Sequence, residues 1–366
     1  MNIVGVIVEY NPLHNGHKYH IEQIKEKENP DLIIGIMSSS FTNRGDLSIF
    51  DKFIKTFHAL ELGIDLIIEL PLIYSMERAD IFALKSINIL NEIGVNKIYI
   101  GSEENNILLY EKAYNLLNEN DNLIKKYISD GYSYKESISK IINLKPNDML
   151  GYSYYKIIKD NNYNIDLKTI KRKESNFNDL IPSNNYIASA YSIRSNLELL
   201  NDYCPSFVLK DKNKILDQNK IFKYLKYEIL SKTNNELKEI FFVDEGLENK
   251  LHQIINYDSL DSFISFLATK RYTKTRIKRM LMYILLNVKK IDAENALNEN
   301  IIRILGFNEK GKNYLNNIKK NIIYYTNIKQ GLSNTLDIEF KSSLILDSIF
   351  DLNLIFQEQK GPIYKK

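Results

Sequence analysis

Two histidines flank Asn-Gly in His14-Asn15-Gly16-His17, a polar loop beyond the first apolar run, Ile3–Val8. A helix beginning at this point offers free backbone N–H groups and the positive end of its dipole, which suit a phosphate. Gly16 lets the backbone approach such an anion closely. Two imidazoles there can hydrogen-bond a phosphoryl group whose charge grows in a transition state. One histidine alone would more simply cap the helix or sit at the surface. A pair around Asn-Gly, directly after a first buried strand, is a more specific pattern, and His14 and His17 are read as catalytic.

Ser189-Ala190-Tyr191-Ser192-Ile193-Arg194 is a second constellation, two hydroxyls at a helix start with an arginine about one turn on. It suits another anionic group, such as a β- or γ-phosphate. By itself it would be a plain N-cap with its arginine in solvent, and it gains meaning from the first motif. A third is Lys270-Arg271-Tyr272-Thr273-Lys274-Thr275-Arg276-Ile277-Lys278-Arg279, with six basic residues in ten and no acidic one. Such runs are usually solvated surface. This one is dense and precedes an apolar stretch that would anchor it, so Lys270, Arg271, Lys274, Arg276, Lys278 and Arg279 are candidates for an RNA backbone, with Tyr272 stacking on an unpaired base.

The elements that must position these groups follow from the apolar pattern. Strands are expected at Ile3–Val8, Leu32–Met37, Leu66–Leu70, Lys97–Gly101 and near Ile165–Ile170, alternating with helices. One helix starts near Gly16 or His17. Another is opened by a Ser48/Asp51 capping box and closed by Gly63. This alternation implies βαβ units and a parallel, Rossmann-like sheet, whose ligands bind beyond the carboxyl ends of the strands. The polar constellations fall in those loops. Beyond about residue 201 strand signals fade. The expectation is a catalytic α/β domain over 1–205 and a mostly helical domain over 206–366.

With 366 residues, 49 Lys and Arg against 46 Asp and Glu, the chain is no polycation, so nucleic acid must be met by a local patch. Cys204 is the sole cysteine, which excludes an internal disulfide and a Cys-based zinc site and fits a reducing cytoplasm. No signal peptide and no membrane-spanning run are expected.

The paired motifs resemble the HxGH nucleotidyltransferase superfamily, which includes the class I aminoacyl-tRNA synthetases. More closely, the chain is similar to the bacterial tRNA(Met) cytidine acetate ligases over nearly its full length. GVIVEYNPLHNGHKYH carries the resemblance most specifically. MSSSFTNRGD, ALELGIDLIIELP, ADIFA, GSE, KPNDMLGY and IASAYSIR follow, then VDEGLE, TKRYTKTRIKRM and RILGFNEKGK. Three departures stand out: Ser39 for a glycine, Asp46-Leu47 for Glu-Pro, and Phe177-Asn178-Asp179 for Tyr-His-Asp.

The resemblance implies ATP contacts along Ile7, Val8, Glu9, Tyr10, Asn11, Pro12, Leu13, His14, Asn15, Gly16, His17, Lys18, Tyr19 and His20. It adds Gly101, Asn147, Arg172 and Lys173, with Ser189, Ser192 and Arg194 on the phosphates. It further implies an ATP-dependent ligase that forms acetyl-adenylate and acetylates the wobble cytidine of elongator tRNA(Met). ATP and acetate would be small substrates, tRNA the partner, Mg²⁺ the ion bridging the phosphates, and no dedicated metal-ligand cluster is evident. A cytosine amine is conjugated into its ring and is a poor nucleophile, so an activated acyl group is chemically required. The alternatives are an adenylyltransferase joining AMP to a cofactor precursor, which would leave the basic half without a task, a class I synthetase, for which no Lys-Met-Ser-Lys-Ser-like loop exists, and a non-catalytic RNA-binding protein.

Overall fold

In the computed structural model, which describes residues 1–132, 134–173, 186–244 and 246–366, five parallel strands occupy the positions where apolar runs predict them. They are β1 (Ile3–Val8), β2 (Leu32–Ser38), β3 (Leu66–Leu70), β4 (Lys97–Ser102) and β5 (Asp166–Lys171). Helix α1 (Asn15–Glu28) joins β1 to β2 and α2 (Lys52–Leu62) joins β2 to β3. β2 and β3 are buried along their whole length, as strands covered by helices on both faces must be. The sheet order is β5-β4-β1-β2-β3, so the chain builds outward from β1 to β3 and then returns to the other side of β1. The crevice between the carboxyl ends of β1 and β4 is therefore the switch point where such sheets bind ligands.

Two strands come from the expected helical half. β6 (Arg303–Phe307) pairs antiparallel with β3, and β7 (Ile363–Tyr364) pairs parallel with β6, giving seven strands. Described residues between 206 and 300 are helical or irregular, apart from an isolated bridge at Ile240. One large hydrophobic cluster runs from Ile3 to Leu354, beside a small second one of Ile301, Ile328 and Leu336. The boundary expected near residue 205 therefore does not separate the strands, since residues beyond 300 return to finish the sheet.

The return is fixed by buried charge. Lys52, in the first turn of α2, lies 2.8 Å from Glu69 of β3, 2.9 Å from Glu339 and 2.6 Å from Glu358. Arg303 of β6 bridges Glu69 and Glu358, and all five side chains are at most 1% exposed. Glu339, on the helix Asn334–Phe350, also accepts from the Leu72 N–H at 2.7 Å and from the Ser39 hydroxyl. Ser39 thus makes use of the hydroxyl that a glycine would lack. Three carboxylates face two cations; burial pushes the Glu69 carboxyl up, and the carboxylates hold Lys52 and Arg303 above their ordinary values. The cap of α2 is Asp51, which accepts from the N–H groups of Phe53 and Ile54, so the expected capping by Ser48 gives way; Ser48 accepts from Lys55 instead.

Removing one member of a buried ion network strands the others without water. Arg303→Met is expected to cost about 3–5 kcal/mol in urea unfolding, by the range typical of broken buried pairs. A loss below about 1 kcal/mol would show that the cluster does not hold the C-terminal segment in place.

Candidate active site

The turn from β1 into α1 is built around two imidazoles. His14 is the N-cap, extended at φ −136° and ψ 174°, and its Nδ1 accepts from the Gly16 N–H at 3.0 Å. His17 Nδ1 in turn accepts from the His14 N–H at 3.2 Å, a reciprocal capping box. The rings lie 3.8 Å apart, centroid to centroid. An accepting Nδ1 carries no proton, so the hydrogen bonds assign both rings as neutral with the proton on Nε2. A Cβ at Gly16 would lie 2.8 Å from His14 Cε1, so this position takes glycine to let the ring fold back. Asn15 donates through Nδ2 to the Tyr186 carbonyl at 3.0 Å and fastens the turn to the later motif.

Before the histidines the chain is held from several sides. Ile7 and Val8 end β1 half-buried, and Pro12 and Leu13 are buried. Tyr10 takes the left-handed φ of 47° and the Asn11–Pro12 peptide is cis. Asn11 accepts at Oδ1 from the Ile49 N–H at 2.9 Å, and its carbonyl receives Arg194 Nη1 at 2.6 Å. Farther along α1, Lys18 faces Glu22 at 3.8 Å and Lys173 lies over the Tyr19 ring at 4.2 Å. His20 Nε2 is buried and has no hydrogen-bond partner among the described residues.

Across the crevice, Gly101 closes on Arg172, whose Cγ would lie 3.4 Å from an added Cβ. Asn147 donates through Nδ2 to Glu103 at 2.5 Å. Ser189 caps the helix Ala190–Ser195, accepting from the Ser192 N–H at 3.0 Å, with the two hydroxyls 2.8 Å apart. Sequence-predicted groups from β1, β4, β5 and the Ser189 helix thus converge on one crevice. Burial, then Arg172 and Arg194, lowers the His14 imidazole to about 3. Burial, then His14, Arg172 and His20, holds His17 well below its ordinary value, and burial with Arg172 takes His20 to about 4. Two guanidiniums and neutral imidazole donors make a cradle for a polyanion.

The basic run is divided by the fold. It enters the helix Lys274–Leu285, capped by Thr273. Lys270, Arg271 and Lys274 are exposed. Arg276 pairs with Asp244 at 3.1 Å and Lys278 with Asp46 at 2.6 Å. Arg279 is turned inward, 8% exposed, and donates through Nε to the Asn43 carbonyl at 2.7 Å. This corrects its expected place on an RNA backbone, because a buried guanidinium engaged by the Asn43 loop does not reach solvent. Tyr272 is corrected too: it is buried beneath Arg276, 5.0 Å from the ring centroid, and cannot stack on a base. Exposed tyrosines occur on the helix Asn219–Leu230 instead, where Tyr224 and Tyr227 share a face with Lys220 and Lys223.

Sequence reasoning missed the link this creates. Asn43 donates its N–H to Glu9 Oε1 at 2.7 Å, so Arg279 holds the loop that holds Glu9. A Cβ on Gly45, at φ 78°, would sit 2.6 Å from the Arg279 nitrogen, so helix and loop are in backbone contact. Leu47 is buried in the core, and Asn178 lies outside the described residues. Among the described residues no group of three or more His, Cys, Asp or Glu could hold a metal ion. No described helix is long and apolar enough to cross a membrane.

A family model described as HIGH Nucleotidyl Transferase matches residues 1–360. The tRNA(Met) cytidine acetate ligases of Staphylococcus aureus strains JH9 and COL are each 36% identical to this chain, over 95% of it and 96% of their own length. Two crystal structures of Thermotoga maritima TmcAL, one apo and one bound with alpha-thio ATP, are 26% identical, with TM-scores of 0.87 and 0.84. Each matches 100% of this chain and 99% of its own. With its fold, its paired motifs and its whole length accounted for by these proteins, the chain belongs to the HIGH nucleotidyl transferase family and, within it, to the tRNA(Met) cytidine acetate ligases.

Proposed function

We propose that this chain activates acetate on ATP and transfers the acetyl group to the wobble cytidine of elongator tRNA(Met). The observation that carries this reading is the reciprocal cap, which aims two neutral imidazoles at a helix N-terminus flanked by Arg172 and Arg194. In the first step a carboxylate oxygen attacks the α-phosphorus, the bond to the bridging oxygen breaks, and pyrophosphate leaves with the electron pair. The His14 and His17 Nε2–H groups donate to phosphoryl oxygens, which gain charge as the reaction proceeds. The guanidiniums, with Ser189 and Ser192, hold the departing phosphates. Positioning and charge stabilisation suffice for such a displacement. In the second step the cytidine N4 attacks the acetyl carbon, AMP departs, and N4 loses a proton.

Mg²⁺ in this reading comes with ATP, held by phosphate oxygens and water, which is how this ion usually meets nucleotides. Asp46 and Glu103, the nearest candidates, are engaged by Lys278 and Asn147, so no step is assigned to a protein-bound metal. RNA contact is assigned to Lys270, Arg271 and Lys274, the exposed part of the basic run. An enzyme using free ATP and tRNA works in the cytoplasm.

The imidazoles must remain neutral to serve as proposed. Ring ¹⁵N shifts of His14 and His17 should stay in the neutral, Nε2-protonated form from about pH 8 to about pH 5. Protonation of either near pH 6.5 in the folded protein would remove the basis for the donor role. The sign for stability follows: native values are depressed, so as pH falls below about 6.5 the unfolded chain takes up protons first. The neutral rings therefore cost stability progressively between there and their native values, about 3 for His14 and about 4 for His20.

The reaction itself is tested with pyrophosphate exchange into ATP and radiolabelled acetate. Exchange should depend on acetate, label should reach total tRNA, and His17→Ala should lower exchange by about 100-fold or more while the protein stays folded. A folded His17→Ala variant with unchanged exchange rules the site out. If label never reaches tRNA and an AMP conjugate of a metabolite accumulates, the enzyme is an adenylyltransferase of small molecules.

RNA contact is tested by salt. Each cation meeting a phosphate releases counterions, so replacing both Lys270 and Lys274 with Ala should reduce the slope of log affinity against log salt by roughly 1–2. An unchanged slope would place the RNA elsewhere. Substituting Lys278 or Arg279 is not a clean test, since these residues hold the Asn43–Asp46 loop and their loss is expected to lower exchange as well.

A further inference from the structure

Helix α2 carries a second buried lysine that the mechanism above leaves without a role. Lys55 is 1% exposed, one turn beyond Lys52, and makes no ion pair among the described residues. Its ammonium donates to the carbonyls of Glu9 at 3.0 Å, Ser38 at 2.9 Å and Ser39 at 2.8 Å, and to the Ser48 hydroxyl at 3.1 Å. Glu9 directly follows β1, and Ser38 and Ser39 end β2 and begin the loop after it. One cation therefore pins together the carboxyl ends of two neighbouring strands, at the edge from which the His14–His17 turn departs.

We infer that Lys55 is a positioning residue for the nucleotide site, acting through the backbone of Glu9 and the Ser38–Ser39 turn. The inference rests on the nucleotide reading given above. Its logic is stereochemical. In a trans peptide the C=O and the following N–H point in opposite directions, so fixing the Glu9 carbonyl on Lys55 turns the Tyr10 N–H away from α2. Tyr10 then takes its left-handed φ of 47°, and the chain enters Asn11, whose carbonyl meets Arg194. The Glu9 carboxylate is meanwhile held by the Asn43 N–H at 2.7 Å, so the residue is fixed at both its backbone and its side chain. Four oxygens converge on three N–H groups, and an unpartnered buried carbonyl is costly. Without the ammonium these peptides must rotate to find other donors, carrying Asn11 and the two histidines with them.

This role differs from that of Lys52, whose ammonium is engaged by three carboxylates. A merely structural lysine would lower stability when replaced but leave the affinity of the folded protein for ATP alone. The test is calorimetric binding of α,β-methylene-ATP, which needs neither acetate nor RNA. Lys55→Met keeps the length of the side chain and removes its donors and charge; its dissociation constant should rise at least about tenfold. Lys55→Arg keeps charge and donors and should recover most of that affinity. Ser343→Ala, which breaks only the hydrogen bond to Glu358 inside the ion cluster, should lower the melting temperature with no change in binding. Should Lys55→Met fail to fold, Lys55→Leu, which also lacks donors, is read by the same criterion. A folded Lys55 variant without donors that binds like the wild type overturns the inference, as does an equal loss in Ser343→Ala. A wild-type protein that does not bind the analogue would instead sink the nucleotide reading itself.

Discussion

Backbone amides at the start of α1 must be satisfied, and they are satisfied by imidazoles rather than by the usual hydroxyl or carboxylate cap. That constraint sets the chemistry of the crevice. A serine or aspartate could cap this helix as well as His14 does, yet neither would leave a second N–H free to donate outward. Because His14 and His17 each spend Nδ1 on the backbone, the protonation pattern is fixed by the fold itself. Burial and the neighbouring guanidiniums then keep the rings uncharged. In the proposed reaction this gives a donor pair that needs no reorganisation when an anion arrives, the condition under which electrostatic stabilisation is most effective.

Holding that turn in place takes cations from elsewhere in the chain. Arg194 reaches back over more than half of the expected catalytic domain to the Asn11 carbonyl. Lys55 lies beneath the Glu9 carbonyl, and Arg279 arrives from the helical half to hold Asn43, which holds Glu9. Each of these three donates to backbone carbonyl oxygens. Where parallel strands end, the ladder of strand-to-strand hydrogen bonds runs out, and buried carbonyls beyond it need another donor. Lys55 supplies that donor to the carbonyls of Glu9, Ser38 and Ser39.

Strands β1 to β5 and the histidine turn were legible because their signals are local: continuous apolar runs, a glycine, and polar residues at fixed spacing. β6 was not. It is five residues long, its first residue is an arginine, and its pairing partner β3 lies more than two hundred residues earlier. The arginine is buried only because Glu69 and Glu358 meet it, which no window around residue 303 reveals. Lys52 and Lys55 pose the same difficulty. They fall on the inward stripe of an amphipathic helix, where lysine usually signals a solvated face, and only the assembled carboxylates and carbonyls show why they are there. Their spacing with Ala59 was the available clue. Ser189 caps a helix, as two hydroxyls at an expected helix start suggest, while the basic run, read as one surface, contained residues with three different destinations.

That division bears on how the two steps can be coupled. Had the basic helix been a separate RNA-binding module, adenylation would be indifferent to it. Instead one helix, Lys274–Leu285, shows exposed cations at its start and sets Lys278 and Arg279 against Asp46 and Asn43 one turn later. The backbone of Gly45 rests directly on that helix, so no side chain can buffer a shift between them. Helix, loop and Glu9 are thus joined by backbone contact and hydrogen bonds, and Glu9 directly precedes the turn bearing the histidines. By linkage, an effect of RNA on nucleotide affinity must be matched by an equal effect of nucleotide on RNA affinity. Rigid attachment makes such coupling physically available, and it explains why residues that look like a phosphate-binding surface in the sequence are partly committed to the architecture of the other site.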